Sequence, residues 1–149
     1  MKNHTAEWWE PIKLNYKGYD VYTASLPANS FAAFVNLGLM REVNDEIVGN
    51  NKEKYLHLFA EMTKESYKAR LAYSFDPDIQ KAPIDSLLST PVLRSMAGKL
   101  SRDTATTFRP PFSGVESKNT THFVVIDRWG NVVSATQTLG NSFGSRIMV

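Results

Sequence analysis

The chain has 149 residues, of which 42% are apolar and 21% are charged, and its formal net charge is +2 at pH 7. This composition is typical of a globular chain with one hydrophobic core, and it excludes a disordered polymer. The small net charge, with basic residues scattered along the chain, excludes an electrostatic case for a nucleic-acid partner. The chain has no cysteine, so it carries neither a disulfide nor a thiolate nucleophile.

Membrane and metal partners are not expected either. No apolar run is long enough to predict a transmembrane helix, and the first residues lack the apolar core of a signal peptide. The sequence is therefore compatible with a cytoplasmic protein and with an exported one. His4 and His57 stand alone, and no spacing of His, Asp and Glu predicts a metal site. The sequence thus predicts no metal and no cofactor.

The N-terminal part of the chain predicts a β-hairpin followed by a helix. Segments 12–15 and 19–23 flank a turn that contains Gly18, which is typical of a hairpin. Further along, Asn29 or Ser30 is expected to cap a helix. The apolar residues of that helix keep helical spacing at Phe31, Phe34, Val35, Leu37 and Val43.

A longer helix is predicted from about Lys52 to about Tyr73, where the helical periodicity is most regular. Its apolar stripe consists of Tyr55, Leu58, Phe59, Met62, Tyr67 and Leu71. The charged residues on the opposite side are Glu53, Lys54, Glu61, Lys64, Glu65 and Lys68. We expect these charges to form a solvated face. The turn at Asp76–Asp78 ends the helix.

The following segments predict one more helix, a loop and further strands. Thr90, followed by a proline, is typical of the start of a short helix that runs to about Leu100. Residues 101–118 contain consecutive prolines, a glycine and several hydroxyl residues, which predicts an exposed, mobile loop. A C-terminal hairpin and a strand starting near Gly144 complete an α+β pattern with three helices. Residues 145–149 are predicted to form a strand whose exposed edge would favour self-association.

The C-terminal hairpin has a register that can be read from its turn. Apolar alternation from Thr120 predicts one strand, and a three-residue loop ending in Gly130 leads into the next, since glycine accepts the left-handed conformation that such loops need. In that register Asp127 faces Asn131, and Thr120 lies directly opposite Thr138. Cross-strand Cβ atoms are about 5 Å apart, so the two threonine hydroxyls can form a hydrogen bond. A slip of one residue would destroy this pairing.

This part of the chain resembles the γ-glutamyltranspeptidase family of N-terminal-nucleophile hydrolases. The matching segments are Glu116 to Phe123, Asp127 to Val133, Thr138-Leu139 and Phe143-Gly144. Weaker matches precede them at Tyr16–Tyr22, Leu26–Ser30, and Asp76–Asp78 with Lys81 and Pro83. Precursors of that family cut themselves before a Thr-Thr-His sequence, here Thr120-Thr121-His122, and the first threonine becomes the nucleophile.

The resemblance implies that the Asn119–Thr120 bond is the cleavage site and that Thr120 is the catalytic residue. Attack of the Thr120 hydroxyl on the Asn119 carbonyl would give an ester, which water opens. The freed α-amino group of Thr120 would then serve as the base while its hydroxyl attacks a γ-glutamyl amide such as glutathione. Thr138 matches a family threonine that contacts the nucleophile, so the family and the strand register pair the same two residues.

The resemblance also implies a fold and a set of partners. The family has a four-layer αββα sandwich, of which this α+β chain would form part. Family precursors are longer at both ends, so we expect an internal piece: residues 1–119 end a large-subunit-like region and residues 120–149 begin a small-subunit-like region. The rest of both subunits and a γ-glutamyl small molecule or peptide are the expected partners. Because family residues for the oxyanion hole and the substrate carboxylate lie outside this chain, we expect an unprocessed or incomplete form.

Two positions depart from the family pattern. Two residues after the threonine matched by Thr138, the family has an asparagine that contacts the substrate. Here Gly140 occupies that position and Asn141 follows it, so Asn141 is a possible substrate contact. The pair Ala32-Ala33 likewise replaces two glycines. These departures keep related acylases open, including those acting on poly-γ-glutamate or cephalosporin-type amides.

Other polar residues near Thr120 have less specific interpretations. His122 is interpreted as a packed strand histidine rather than a general base, because the freed amino group already supplies a base. Ser134 and Thr136 are interpreted as sheet hydroxyls, and Asp127 is interpreted as a turn residue.

The alternative function from another class is that of a non-catalytic protein, a degenerate or truncated homologue that serves as a scaffold.

Overall fold

The computed structural model describes residues 5–43, 51–109 and 120–138. The elements are, in chain order, β1 (Ile12–Tyr16), β2 (Tyr19–Thr23), α1 (Phe31–Glu42), α2 (Lys52–Tyr73), α3 (Ile84–Leu87), α4 (Thr90–Gly98), β3 (Thr120–Ile126) and β4 (Val132–Thr138). Each strand pair is a separate two-stranded antiparallel sheet. The α+β class is confirmed, and within these ranges the one-turn helix α3 adds to the three helices predicted. The chain divides into two compact units, one ending at Phe108 and one beginning at Arg109.

The first hairpin forms around a two-residue turn. Lys17 and Gly18 have φ angles of 50° and 87°, and positive φ at both central positions is the turn geometry that matches the natural twist of paired strands. Leu14 of β1 pairs with Val21 of β2, and Leu14 is buried in the core of the first unit. The predicted hairpin is confirmed, with Tyr16 as the last residue of β1 instead of part of the turn.

Helix α1 supplies the most deeply buried side chains of the first unit. Phe31, Val35 and Leu39 have no exposed surface. Phe31 and Val35 are among the apolar positions that the helical spacing predicts, and Leu39 adds to them. The predicted capping role of Ser30 is wrong. Ser30 lies at the N-cap position without a side-chain capping bond, and its backbone is already helical, with φ −64° and ψ −21°, whereas a capping residue is typically extended. Its hydroxyl donates instead to the carbonyl oxygen of Ala24 at 3.0 Å.

Helices α1 and α4 pack closely because one of them carries a glycine at the contact. A Cβ atom on Gly38 would lie 2.6 Å from Cδ1 of Leu93, and Leu93 is itself fully buried. Arg41 then joins three elements, since its guanidinium donates to the carbonyl oxygen of Asn15 at 3.0 Å and to the hydroxyl of Thr90 at 3.3 Å. The helix predicted from Thr90 is thereby confirmed as α4 and fixed against the rest of the core.

Helix α2 has the predicted bounds. The side chain of Asn51 caps its first turn by accepting two backbone N–H bonds at 3.0 Å each. Leu58 and Met62 are buried, whereas Tyr55 and Phe59 of the predicted apolar stripe are 40% and 41% exposed. The buried face of α2 is therefore narrower on its aromatic side than the sequence predicts.

The prediction that the charged residues of α2 form a solvated face is wrong at Glu61, which is only 3% exposed. Its carboxylate accepts hydrogen bonds from Lys64 Nζ at 2.5 Å, from the backbone N–H of Thr106 at 3.1 Å and from the Thr106 hydroxyl. Burial by itself would raise the pKa of Glu61, but the hydrogen bonds from Lys64 and Thr106 outweigh it and lower the pKa to about 2. Glu61 thus holds a buried negative charge.

The segment that follows α4 runs along α2. The carbonyl oxygen of Ser101 lies 3.0 Å from Nε2 of His57. The ring of Phe108 meets that of Tyr67 edge-on, with ring centroids 5.8 Å apart, and the ammonium of Lys68 lies 5.7 Å from the Phe108 centroid. Together with the Glu61 contacts, these interactions anchor the first part of the predicted loop, while its residues 110–118 lie outside the described ranges.

Candidate active site

The loop between β3 and β4 is organised by Asp127. Its carboxylate accepts hydrogen bonds from the backbone N–H groups of Trp129 and Asn131 at 2.8 and 2.9 Å, and from the Asn131 amide at 2.7 Å. The bond from the Asn131 side chain, aided by the backbone bonds, lowers the pKa of Asp127. Gly130 has a φ of 85°, the left-handed conformation that glycine adopts without strain. The predicted three-residue loop is confirmed, and Asp127 acts as a turn residue.

This loop fixes the register of the hairpin at its open end. Strand pairing runs from Ile126 opposite Val132 to Thr120 opposite Thr138. The Thr120 hydroxyl donates to the Thr138 hydroxyl, with 3.1 Å between the two Oγ1 atoms. The predicted pairing of these two threonines is therefore confirmed as geometry, at the far end of two strands of 7 residues each.

His122 lies on the same face of the hairpin, two residues along β3 from Thr120. Its Nδ1 is 2.8 Å from the hydroxyl oxygen of Thr136, and its Nε2 is 3.3 Å from the hydroxyl oxygen of Ser134. All three side chains are exposed in the described hairpin, and the interpretation of His122 as a packed strand histidine stays a prediction. The register already places His122 opposite Thr136, so this contact could have been predicted from the sequence.

Both faces of the second hairpin are apolar near its loop. Phe123, Val125 and Val133 lie on one face, and Val124 and Ile126 lie on the other. Each of these side chains is between 42% and 67% exposed. Strands with apolar residues on both sides are typical of a sheet that is covered on both faces. The hairpin therefore has the character of an inner layer.

Two of the predicted site residues lie outside the described ranges, namely Asn119 and Asn141. The structure accordingly brings together Thr120 and Thr138, and it adds His122 and the two hydroxyls that His122 contacts. Among the described residues, no group of three or more His, Cys, Asp and Glu side chains could hold a metal ion. Within those same ranges, no helix combines the length and apolarity that crossing a membrane requires.

The chemistry available to this arrangement depends on the state of the Thr120 nitrogen. In an uncut chain that nitrogen belongs to an amide and cannot accept a proton, so the Thr120 hydroxyl has a hydrogen-bond partner in Thr138 but no base on its own residue. A cut before Thr120 turns the nitrogen into an amine on the same residue as the hydroxyl, which is a known way to activate a weak oxygen nucleophile. The hairpin end is thus suited to a threonine nucleophile whose base is created by chain cleavage.

Solved structures define the class of protein to which this fold belongs. The chain is similar to a γ-glutamyltranspeptidase from Pseudomonas nitroreducens complexed with L-DON, with a TM-score of 0.65 and 26% identity over 71% of this chain and 32% of that one. It also shares the fold of the Helicobacter pylori γ-glutamyltranspeptidase, with a TM-score of 0.64 and 24% identity over 70% of this chain and 30% of that one. The chain has the N-terminal-nucleophile hydrolase fold of these α+β proteins.

The family is established by the sequence comparison. The model of the family described as Gamma-glutamyltranspeptidase matches residues 1–149, and the chain belongs to this family. It is 32% identical to a glutathione hydrolase proenzyme of Pseudomonas aeruginosa, over 100% of this chain and 27% of that protein. An acylase ACY 1 proenzyme of Pseudomonas sp. strain SE83 is 29% identical, over 100% of this chain and 27% of that protein. The capsule biosynthesis protein CapD proenzyme of Bacillus anthracis is 31% identical, over 97% of this chain and 26% of that protein.

The chain covers only part of the length of its relatives. It spans about a quarter of these curated proteins, 27% of the first two and 26% of the third. All three relatives are named as proenzymes. The activity of the whole protein, its substrates and its partners are therefore matters for proposal.

Proposed function

We propose that the protein is a γ-glutamyltranspeptidase-type acyl transferase or hydrolase that cuts its own chain before Thr120. Thr120 then serves as the nucleophile on γ-glutamyl amides such as glutathione, and the remainder of the large and small subunits completes the site. The observation that carries this proposal is the bond from the Thr120 hydroxyl to the Thr138 hydroxyl, at 3.1 Å. The bond holds the nucleophilic oxygen at the end of a strand, beside the amide that has to be cut.

The first stage is an intramolecular acyl shift. The Oγ1 atom of Thr120 bonds to the carbonyl carbon of Asn119, the bond from that carbon to the Thr120 nitrogen breaks, and the nitrogen gains the proton that the hydroxyl loses. Water then opens the resulting ester, which leaves a carboxylate on Asn119 and a free amino group on Thr120. Because nucleophile and carbonyl belong to adjacent residues, the reaction needs orientation more than it needs binding.

The second stage uses the amino group that the first stage creates. This group takes the proton of the Thr120 hydroxyl as Oγ1 attacks the γ-amide carbonyl of the substrate, and the amine of the substrate leaves with a proton. The γ-glutamyl group is then carried as an ester on Thr120 and passes to water, an amino acid or a peptide. A covalent intermediate of this kind replaces one difficult step by two easier ones.

A related acylase is the second candidate, and a specific observation favours it. The acylase ACY 1 proenzyme of Pseudomonas sp. covers this chain as completely as the glutathione hydrolase does. Gly140 stands where transpeptidases have a substrate-contacting asparagine, with Asn141 as the candidate replacement. A non-catalytic scaffold is the third candidate, since the same hairpin can persist after activity has been lost.

A substrate comparison on the processed gene product separates these candidates. A γ-glutamyl anilide is compared with a glutaryl anilide of the same length, which lacks only the α-amino group, and the rate at which each releases its aniline is measured. Mass spectrometry after a rapid acid quench then identifies any acyl group bound to Thr120. The transpeptidase proposal predicts preferential release from the γ-glutamyl compound and a γ-glutamyl adduct on Thr120. Preference for the glutaryl compound would support the acylase, and no adduct with either compound would support the scaffold.

A change at Thr138 tests whether its hydroxyl orients the nucleophile. Thr138→Val removes the acceptor of the Thr120 hydrogen bond and keeps the shape of the side chain, so we expect self-cleavage to be slower by about 10-fold or more, since the bond alone is usually worth about that factor. Thr138→Ser keeps the hydroxyl and should cleave at close to the normal rate. Fragment appearance on a denaturing gel, followed over time, gives both rates; equal rates for the two variants would contradict an orienting role.

A further inference from the structure

The self-cleavage stage has a requirement that the second stage does not share. Before cleavage the Thr120 nitrogen is an amide, so the base of the finished enzyme does not yet exist. The proton of the Thr120 hydroxyl must nevertheless leave as the new ester bond forms. A basic side chain elsewhere in the uncut chain would therefore speed this step.

We propose that His122 accepts this proton through the hydroxyls that line one face of the second hairpin. This inference rests on the proposed self-cleavage before Thr120 and adds a residue to it. His122 acts through other side chains, so it is a positioning residue of the relay and does not touch the bond that breaks.

The relay is built on the pairing of β3 with β4. Thr120 and Thr138 form one cross-strand pair on this face, and His122 and Thr136 form the next pair on the same face. The Thr120 hydroxyl donates to Thr138 at 3.1 Å, and Nδ1 of His122 lies 2.8 Å from the Thr136 hydroxyl oxygen. Successive pairs on one face are about 6.7 Å apart along the strands, so the proposed relay includes bridging water between Thr138 and Thr136.

The position of the imidazole is fixed from its other side. Nε2 of His122 lies 3.3 Å from the Ser134 hydroxyl oxygen. The tautomer with a proton on Nε2 donates to Ser134 and leaves Nδ1 free to accept from Thr136. That tautomer gives the ring the acceptor that a relay from Thr120 requires.

The described hairpin offers no other suitable base. Between residues 120 and 138, the remaining carboxylate or imidazole side chain is that of Asp127. Asp127 lies at the loop, at the opposite end of β3 from Thr120, and its oxygens accept the bonds that shape the loop. Within this hairpin, His122 is therefore the proton acceptor that shares a face with the nucleophile.

Protons balance along the relay. As Oγ1 of Thr120 bonds to the Asn119 carbonyl carbon, its proton passes to Thr138, the Thr138 proton passes through solvent to Thr136, and the Thr136 proton passes to Nδ1 of His122. When the carbon–nitrogen bond breaks, the proton returns from His122 through Thr136, solvent and Thr138, and the Thr138 hydroxyl or solvent delivers it to the Thr120 nitrogen. The imidazole ends neutral, and the net change is one proton moved from oxygen to nitrogen.

The test measures self-cleavage of the complete gene product after rapid purification of His122→Ala and His122→Gln. General-base assistance is worth about 100-fold or more, so we expect cleavage slowed by at least that factor in both variants. Added imidazole should restore much of the rate in His122→Ala, where it has a space to occupy, and not in His122→Gln. Thr136→Val should slow cleavage while Thr136→Ser should not, because only the serine keeps the relay hydroxyl.

Matched measurements separate this inference from the proposed function. Thr121→Val, on the opposite face of the same strand, should cleave normally. Turnover of a γ-glutamyl anilide per cleaved molecule should fall far less in His122→Gln than cleavage does. Normal cleavage of the His122 variants, or slow cleavage that imidazole never restores, would overturn the relay and leave the proposed function standing. Failure of the unaltered protein to cleave would instead overturn the proposed function.

Discussion

Replacing Thr120 by alanine is expected to abolish both self-cleavage and turnover. The change removes the oxygen that attacks Asn119 in the first stage, and without the first stage no amino group is freed to act as base. Loss of a nucleophile that works as a unit with its base lowers turnover by roughly four orders of magnitude or more. A denaturing gel and a γ-glutamyl anilide assay on the complete gene product measure the two losses.

Two nearby substitutions control for damage to the hairpin. Thr120→Ser keeps the attacking oxygen and should retain cleavage at a reduced rate. Thr121→Ala alters the adjacent residue, whose side chain lies on the other face, and should leave both stages intact. Cleavage of the Thr120→Ala protein at the same bond would show that another group attacks Asn119, and the nucleophile would have been assigned to the wrong residue.

Replacing Glu61 by glutamine is expected to destabilise the first unit by about 3 kcal/mol, because breaking a buried pair by removing one partner is strongly destabilising. The carboxylate is buried and accepts bonds from Lys64 and from two groups of Thr106. Its removal leaves the Lys64 ammonium without its carboxylate partner, with the Thr106 carbonyl oxygen at 2.7 Å as a remaining acceptor. Urea unfolding monitored by circular dichroism gives the free energy of unfolding of each protein.

Glu65 provides a matched control on the same helix. Glu65 pairs with Lys68 at the same spacing along α2, but the two side chains are 31% and 46% exposed. Exposed pairs contribute about 0 to 1 kcal/mol, so Glu65→Gln should change the free energy of unfolding little. Equal effects of the two substitutions would contradict the assignment of Glu61 to a buried anchor.

The effect of Glu61 should also depend on pH. Because the pKa of Glu61 in the folded chain is lowered from 4.5 to about 2, folding favours the charged form. Its contribution to stability is complete above about pH 4.5 and is lost as the pH falls towards 2. The difference in free energy of unfolding between the unaltered protein and Glu61→Gln should therefore stay constant from about pH 7 to about pH 4.5 and narrow as the pH falls from there to about 3. A difference that stays constant down to that pH would show that Glu61 is not charged when folded.

The sequence predicts the second hairpin well because residues close together in the chain determine its loop and its register. The residues of the loop, with Asp127 and Gly130 at their required positions, fix the register, and a period of two then carries that register to Thr120 and Thr138. The bounds of α2 are predicted for a similar reason, since its periodicity extends over 22 residues. The contact between His122 and Thr136 is implied by the same register.

Features that depend on distant residues could not be predicted in this way. Glu61 has the helical spacing of a solvated residue, but Thr106, 45 residues further along, covers it and supplies two of its hydrogen bonds. Gly38 interrupts a good helix pattern, and the reason is the side chain of Leu93 on α4. Ser30 has the chemistry of a capping residue, but its backbone is helical instead of extended, and its hydroxyl donates to the carbonyl oxygen of Ala24.

The most direct test of the proposed mechanism is to determine whether the Thr120 nitrogen is an amide or a free amine. Intact-mass analysis and N-terminal sequencing of the complete, unaltered gene product would establish whether a polypeptide begins at that residue. We expect a new chain whose first residue is Thr120, with a free amine, and a second chain that ends in the carboxylate of Asn119. A product that stays in one piece, or that is cut at a different bond, would contradict the proposal that this threonine becomes the enzyme's nucleophile.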